Sequence, residues 1–263
     1  MPEPMDDATA KTFIDALDAS SGIVAAVGAG GKKSTLYRLL EAHRSIGTQR
    51  ILLTSTVQIA AVPRAHDVET LIIHGSGDLS TITETSGKDG AWLVAGPPKQ
   101  PDRMSGLPEA LTQHLHEQGA FAVSLVKADG ARMRMIKAPR ESEPALPDGV
   151  STILPIVSAR VFGRPLNEKL VHRPERLIEV IGADRDTLLT PDHVARLLSS
   201  PGGGLRRTGT ASVVPIINMV DSPERLAAAR EAAEKALAMT ERFRRVILAS
   251  MTSPMPLVEV IGA

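Results

Sequence analysis

Cysteine is absent from this sequence, and with it go disulfides, zinc ribbons, iron–sulfur ligation and thiol nucleophiles. Net charge is absent too: 30 Lys and Arg balance 30 Asp and Glu, for a formal total of zero. A chain that lives by neutralising a nucleic-acid backbone carries a basic surplus, so nucleic acid is not an expected partner. Aromatics are scarce, with four Phe, one Trp and one Tyr, which argues against stacking platforms for single strands and against aromatic sugar clefts. No apolar run approaches the ~20 residues of a membrane span. The stretch MPEPMDDATAKTF lacks the basic n-region and long apolar core of a signal peptide. The expectation is a cytoplasmic protein without a membrane partner. What the chain has in quantity is aliphatic: 43% of its 263 residues are hydrophobic, so its core is built from Val, Ile, Leu, Ala and Met.

That length suits one large domain or two small ones at roughly 150 residues each. The pattern decides for one. Thr9 to Ala19 carries Phe13, Ile14 and Leu17 at helical spacing, and Ser20-Ser21-Gly22 breaks it. Ile23 to Val27 is a continuous apolar run flanked by glycine, which suits a strand buried on both faces. The stretch from Lys32 to about Arg44 reads as a helix, and Ile51 to Leu53 as a second strand. Leu71–Ile73, Ala91–Ala95 and Phe121–Val126 are further apolar runs, with a helix predicted over Leu111–Glu117. Val150–Val157 and Ala211–Ile217 are strand candidates weakened by Pro155 and Pro215. Ser222 and Pro223 open a long helix, a good N-cap followed by a residue suited to the first turn, and Arg244–Ala249 returns as a strand. Strands alternating with helices predict an α/β fold with a mainly parallel sheet flanked by helices, over 1–263 as one unit. The segment of about 163–207 reads as a small, mostly helical insertion, and Pro201-Gly202-Gly203-Gly204 as a flexible loop within it.

The strongest local signal is strand, glycine loop and helix over residues 23–40. Gly28, Gly30 and Gly31 let backbone amides approach an anion, the following helix presents its positive end there, and Lys32 adds a full charge. Ala29, Lys33, Ser34 and Thr35 complete the candidate phosphate-binding set. A dinucleotide G-x-G-x-x-G fails because the last glycine would be Lys33. The P-loop pattern G-x-x-x-x-G-K-[ST] fits with Gly31-Lys32 as its G-K pair, but Ala26 stands for the first glycine and Lys33 for the hydroxyl. Mg²⁺ would then be met by Ser34 or Thr35. The simpler alternative is a glycine turn that only lets a helix pack on a strand.

Asp129 follows the Phe121–Val126 run, where a carboxylate organises Mg²⁺ and water in phosphoryl transfer; before Gly130 it is also an ordinary turn residue. It is the candidate catalytic and, with Ser34, metal-binding residue. Arg132, Arg134, Lys137 and Arg140, with Lys127 before them, form a basic run that is either a solvated face or a seat for an anion. Asn218 and Asp221, in VVPIINMVD, resemble the guanine-reading N-K-x-D with Met219 in place of lysine, so they are the candidate base-binding pair. Thr54 and Thr56 offer hydroxyls after the second strand, and His172-Arg173 form a polar cluster that is either structural or ligand-contacting.

Together the stretches GAGGKKSTL (28–36), LLTSTVQIAAVP (52–63), VKADGARMRMIKAPRESEPALP (126–147), GRPLNEKLVHRPE (163–175) and IINMVD (216–221) resemble the YqeC family. That group is linked to selenium-dependent molybdenum hydroxylases. The resemblance implies a P-loop NTPase-like fold that binds a nucleoside triphosphate, ATP or GTP. It implies a role in maturing such a hydroxylase or its cofactor, with the hydroxylase or its maturation proteins as partners. Lys32, Asp129, Lys137, Pro139, Glu143, Pro144, His172, Arg173 and Glu175 match the family pattern. Lys33 replaces the loop threonine, Val57 the last of a threonine run and Lys127 a glutamate. These departures degrade the Mg²⁺ site and bear on hydrolysis more than on nucleotide binding. A nucleotide- or cofactor-binding switch without turnover is the alternative.

Overall fold

A computed structural model describes residues 5–74, 88–100 and 102–262. Fourteen strands are described: β1 (Gly22–Gly28), β2 (Arg50–Ser55), β3 (Ile59–Ala60), β4 (Glu69–Ile72), β5 (Gly90–Gln100), β6 (Arg103–Ser105), β7 (Val123–Lys127), β8 (Ile136–Lys137), β9 (Val150–Ser158), β10 (Val171–His172), β11 (Ser212–Val213), β12 (Ile216–Asn218), β13 (Arg245–Ala249) and β14 (Leu257–Gly262). The helices among them are α1 (Asp7–Ala16), α2 (Lys32–Ser45), α3 (Glu109–Gln118), α4 (Pro174–Ile181), α5 (Pro191–Ser199) and α6 (Pro223–Met239).

Apolar runs become the middle of the sheet. Its order is β14-β13-β12-β9-β1-β7-β2-β5-β6-β3, with β11 beside β9 and β4 beside β5. From β13 through β9, β1, β7 and β2 to β5 every pairing is parallel. Antiparallel pairs are confined to the flanks, at β13–β14, β5–β6 and β3–β6. The fold class read from the sequence, a mainly parallel sheet flanked by helices, is the one observed.

Alternation along the central strands sends side chains into separate cores. Val24 and Ala26 of β1 join Leu53 of β2 beneath α1 and α2, against Phe13, Ile14, Leu36, Leu39 and Leu40. On the opposite face, Val157, Ile217, Val246 and Leu248 pack under α4, α5 and α6, against Leu177, Val194, Ala229 and Ala233. Leu52 and Trp92 pack with Leu115 of α3. Among the described residues no helix is long and apolar enough to cross a membrane.

The prolines act differently in the two weakened strands. Pro155 lies inside β9, level with Val27 of β1. It shares the side of Ile153, whose carbonyl accepts from Val214 N–H on the outer neighbour. Its missing donor therefore faces Val214–Pro215, where β11 gives way to β12, and costs no ladder bond. Pro215 splits the predicted Ala211–Ile217 strand into those two short pieces. The Pro201–Gly204 segment forms a turn closed against the end of α5: Gly204 N–H donates to Leu197 O at 2.8 Å. A Cβ at Gly203 would lie 2.1 Å from that oxygen, so glycine serves close packing here.

Leu53→Ala, in a strand buried on both faces, should cost about 2–5 kcal/mol in urea denaturation. Val258→Thr, on the exposed side of edge strand β14, should stay within about 0.5 kcal/mol.

Candidate functional site

The carboxyl ends of β1, β7, β2, β9 and β12 lie along one edge of the sheet, where open α/β sheets hold their ligands. Gly28, Asp129, Thr56, Ser158 and Asn218 stand at or just beyond those ends. The glycine loop leaves β1 and turns into α2, whose N-cap is Gly31 with no capping side chain. Among the described residues the amides of Gly30, Gly31, Lys32 and Lys33 find no acceptor. That cluster of donors sits where the helix dipole is positive.

Backbone shape there requires glycine. Gly28 and Gly31 have φ of 87° and 137°. A Cβ on Gly28 would lie 2.3 Å from Ile156 O, and one on Gly31 would lie 2.0 Å from Asn218 Nδ2. Ala29 anchors the loop by donating its amide to Ile156 O at 2.8 Å. Asn218 is buried and spends both ends of its amide on the protein, donating to Gly30 O at 2.9 Å and accepting from Met251 N–H at 3.2 Å.

Asp129 is the centre of the site and is 1% exposed. Its Oδ2 accepts from Gly28 N–H at 2.8 Å and lies 3.0 Å from Lys137 Nζ. Its Oδ1 pairs with Lys32 Nζ at 2.8 Å, an ionic contact without an aligned hydrogen bond. Lys32 also donates to Gly28 O. Burial pushes the Lys32 ammonium below its ordinary pKa, against the pull of Asp129. Lys137 donates to Gly130 O at 2.9 Å and to Glu143 Oε2 at 2.8 Å. Arg173 grips Glu143 with two nitrogens, at 2.8 and 3.3 Å. Three cations, Lys32, Lys137 and Arg173, thus share two carboxylates. This surplus favours an anion.

Burial alone would raise the Glu143 carboxyl, but hydrogen bonds from Arg173 and Lys137 outweigh it and hold the group at about 2. Burial, then the charges of Arg173 and Lys137, push His172 down to about 4, so its ring is neutral at pH 7. Lys127 falls to about 7 through burial and the nearby Lys32 charge, while its Nζ donates to Gln58 O at 2.5 Å.

The remaining candidates divide. Thr35 is buried and donates its hydroxyl to Gly31 O at 3.1 Å. Ser34 is half-buried and Lys33 exposed at the start of α2. The Thr54 hydroxyl goes to Val94 O, and that of Thr56 to Ala145 O, both at 2.7 Å. Asp221 lies outside the loop, paired with Arg160 at 3.0 Å and with Arg225; Met219 stands between it and Asn218 at φ 63°. Sequence reasoning assigned no role to Glu143, which links Lys137 to Arg173; its place in the family-like RESEP stretch was the available signal.

The donors fit phosphate, since loop amides and ammonium groups converge. They do not fit Mg²⁺ as arranged. Both Asp129 oxygens already carry cations or an amide, and among the described residues no three His, Asp or Glu side chains form a cation site.

A glycine loop joining the central strand to a helix, with an aspartate at the end of the adjacent strand, defines an α/β protein with a mainly parallel sheet and an anion-friendly loop at its carboxyl edge. The chain belongs to the YqeC family: the profile described as YqeC protein matches residues 24–175, more than half of it. It is similar to the uncharacterized protein YqeC of Escherichia coli (strain K12), 26% identical over 187 residues, 70% of this chain and 70% of that one. Among solved structures it is similar to the hydrogenase maturation factor HypB from Archaeoglobus fulgidus. The TM-score is 0.38 and identity 13%, covering 93% of this chain and 89% of that chain.

The Glu143 pairings give a pH signature. Its folded pKa lies below the ordinary value of 4.5, so its stabilisation is complete above that value and drains away as pH falls towards about 2. Glu143→Gln should lower stability at pH 7 and flatten the acid limb between those values in pH-dependent denaturation. An unchanged acid limb would show that Arg173 and Lys137 do not hold this carboxylate.

Proposed function

We propose that this protein binds a nucleoside triphosphate at Gly28–Thr35 and acts as an accessory protein in the maturation of a selenium-dependent molybdenum hydroxylase or its cofactor. Residues 1–263 form one nucleotide-binding unit in this reading, with 163–207 inserted, and the protein works in the cytoplasm. The observation that carries the nucleotide half is the buried Lys32–Asp129 pair at 2.8 Å beneath loop amides that lack acceptors. Phosphate oxygens satisfy those amides and give Lys32 a second anionic partner, relieving the burial that depresses its pKa. The maturation half rests on the family resemblance.

In this site Gly28, Ala29, Gly30, Gly31 and Lys32 hold the phosphates. Lys33 adds charge at the rim, Ser34 faces the terminal groups, and Thr35 supports the loop from behind through its bond to Gly31 O. Asp129 receives or positions protons if the phosphate bond is cleaved. Asn218 fixes the loop, and Asp221 with Arg160 marks the side on which the base lies. Lys127 and Lys137 add charge on the far side, whereas His172 and Arg173 line a separate cleft. ATP and GTP are both compatible with these groups.

A binding switch without turnover is the second reading, and Lys137 favours it. Its ammonium sits 3.0 Å from the carboxylate that an NTPase would use for Mg²⁺ and water.

Lys32→Ala should weaken triphosphate binding 10-fold or more, about 1.4 kcal/mol, in a thermal-shift panel of ATP, GTP, CTP and UTP. Equal affinity in variant and parent would remove the phosphate-loop assignment. The two readings separate on phosphate release with and without Mg²⁺. Combined Lys33→Thr and Lys127→Glu should raise turnover only if the enzymatic scaffold is intact; no turnover in parent or variant, with binding retained, identifies the switch.

A further inference from the structure

Arg173, the partner of Glu143, also lines a cleft of about 300 Å³ that includes no residue of the glycine loop. Arg132, Arg134, Arg140, His172 and Arg173 line it. Their local setting explains why they converge. Arg132 and Met133 both adopt positive φ, 45° and 60°, which turns the chain sharply between β7 and β8. β10 then lies parallel to β8, with His172 level with Lys137. α4 begins directly after Arg173, a left-handed N-cap that supplies no side-chain acceptor to the first turn.

The cations of this cleft are poorly neutralised. Arg173 is committed to Glu143, and Glu175 at the rim is committed to Arg185 at 2.8 Å. Among the described residues Arg132 and Arg140 have no ion-pair partner, and Arg134 makes only a 3.5 Å contact with Arg132 O. Glu168 is the remaining carboxylate. Three guanidinium groups against one carboxylate leave a positive surplus.

We propose that this cleft is a second ligand site, separate from the glycine loop, that takes a small phosphorylated molecule. Guanidinium forks match phosphate oxygens two at a time. A carboxylate has two oxygens and satisfies one fork, whereas a phosphate dianion has enough oxygens and charge to engage several. The volume sits at the small end of ligand pockets, which suits a phosphoester of a few carbons rather than a nucleotide. Glu143 joins the two sites, because it holds Arg173 on the cleft side and Lys137 on the Asp129 side. The inference does not depend on the nucleotide reading.

The test is isothermal titration of the full chain with inorganic pyrophosphate, inorganic phosphate and glycerol 3-phosphate, at low and physiological salt. Lys32→Ala should retain pyrophosphate binding. Adding Arg132→Ala and Arg140→Ala in that background should weaken it at least 10-fold. Both arginines are exposed, so the folded state should survive, and circular dichroism checks this. The same pair of substitutions in the Lys32 protein should leave nucleotide thermal shifts unchanged. Arg132→Lys with Arg140→Lys keeps charge but loses the forks, and should fall between parent and alanine variant. Glycerol 3-phosphate binding more tightly than inorganic phosphate assigns the site to phosphoesters; the reverse order assigns it to the free anion. Equal pyrophosphate affinity with and without the two arginines, or no binding in the Lys32→Ala protein, overturns the proposal whatever the loop does with nucleotide.

Discussion

A single buried carboxylate organises this protein's sheet edge. Asp129 ties the end of β7 to the start of the glycine loop through Gly28 N–H, and draws Lys32 from α2 and Lys137 from β8 to itself. Removing such a group from water costs several kcal/mol, which its partners repay only when the geometry is good and every lone pair is used. Asp129 meets that condition on one side only: Oδ2 has an amide and an ammonium, while Oδ1 is left with the Lys32 charge and no aligned hydrogen bond. The consequence is that β1, α2, β7 and β8 cannot shift independently without exposing an unpaired charge. The arrangement explains why two lysines that should repel one another remain together: each is held by the carboxylate between them, and Lys137 has a second anion in Glu143.

The loop depends on that anchor and on a steric one. Gly31 can approach Asn218 closely only because it lacks a Cβ, and the Asn218 amide then closes on Gly30 O and Met251 N–H. β12 therefore supports the loop from the side opposite β7. The asparagine in N-x-x-D is thus a brace, and Asp221, three residues on, belongs to a surface network with Arg160 and Arg225. These two residues share a sequence pattern but occupy different environments.

How much of this was legible follows from what each feature depends on. The strand–glycine–helix unit is local: an apolar run, positive-φ glycines and an uncapped helix start all lie within twenty residues, and each was readable. The parallel core was readable too, because strands buried on both faces leave continuous apolar runs. Pro155 misled only in part, since the cost of a missing N–H depends on the neighbour strand, and β11 and β12 break at that point. The β8–β10 pair was invisible, being two residues on each side. Edge strand β14 also left little signal, because its alternation of Leu257, Glu259 and Ile261 with Val258 and Val260 is hydrophobic on both faces. Glu143 could not be assigned from sequence, because its meaning lies in two partners, one six and the other thirty residues away.

The zero net charge then has a structural meaning. Acidic groups such as Asp192, Glu231 and Glu259 pair with arginines and lysines on the outer helices and edge strand, where they are half-buried to exposed, and such solvent-accessible pairs contribute little to stability. Around the carboxyl edge the balance is broken: Lys32, Lys137 and Arg173 share Asp129 and Glu143, while burial and the Lys32 charge lower the pKa of Lys127 to about 7. A buried cationic excess is costly to maintain unless an anion completes it. The glycine loop and the arginine cleft lie at opposite ends of one ion-pair chain, so an anion at either end changes the field felt at the other.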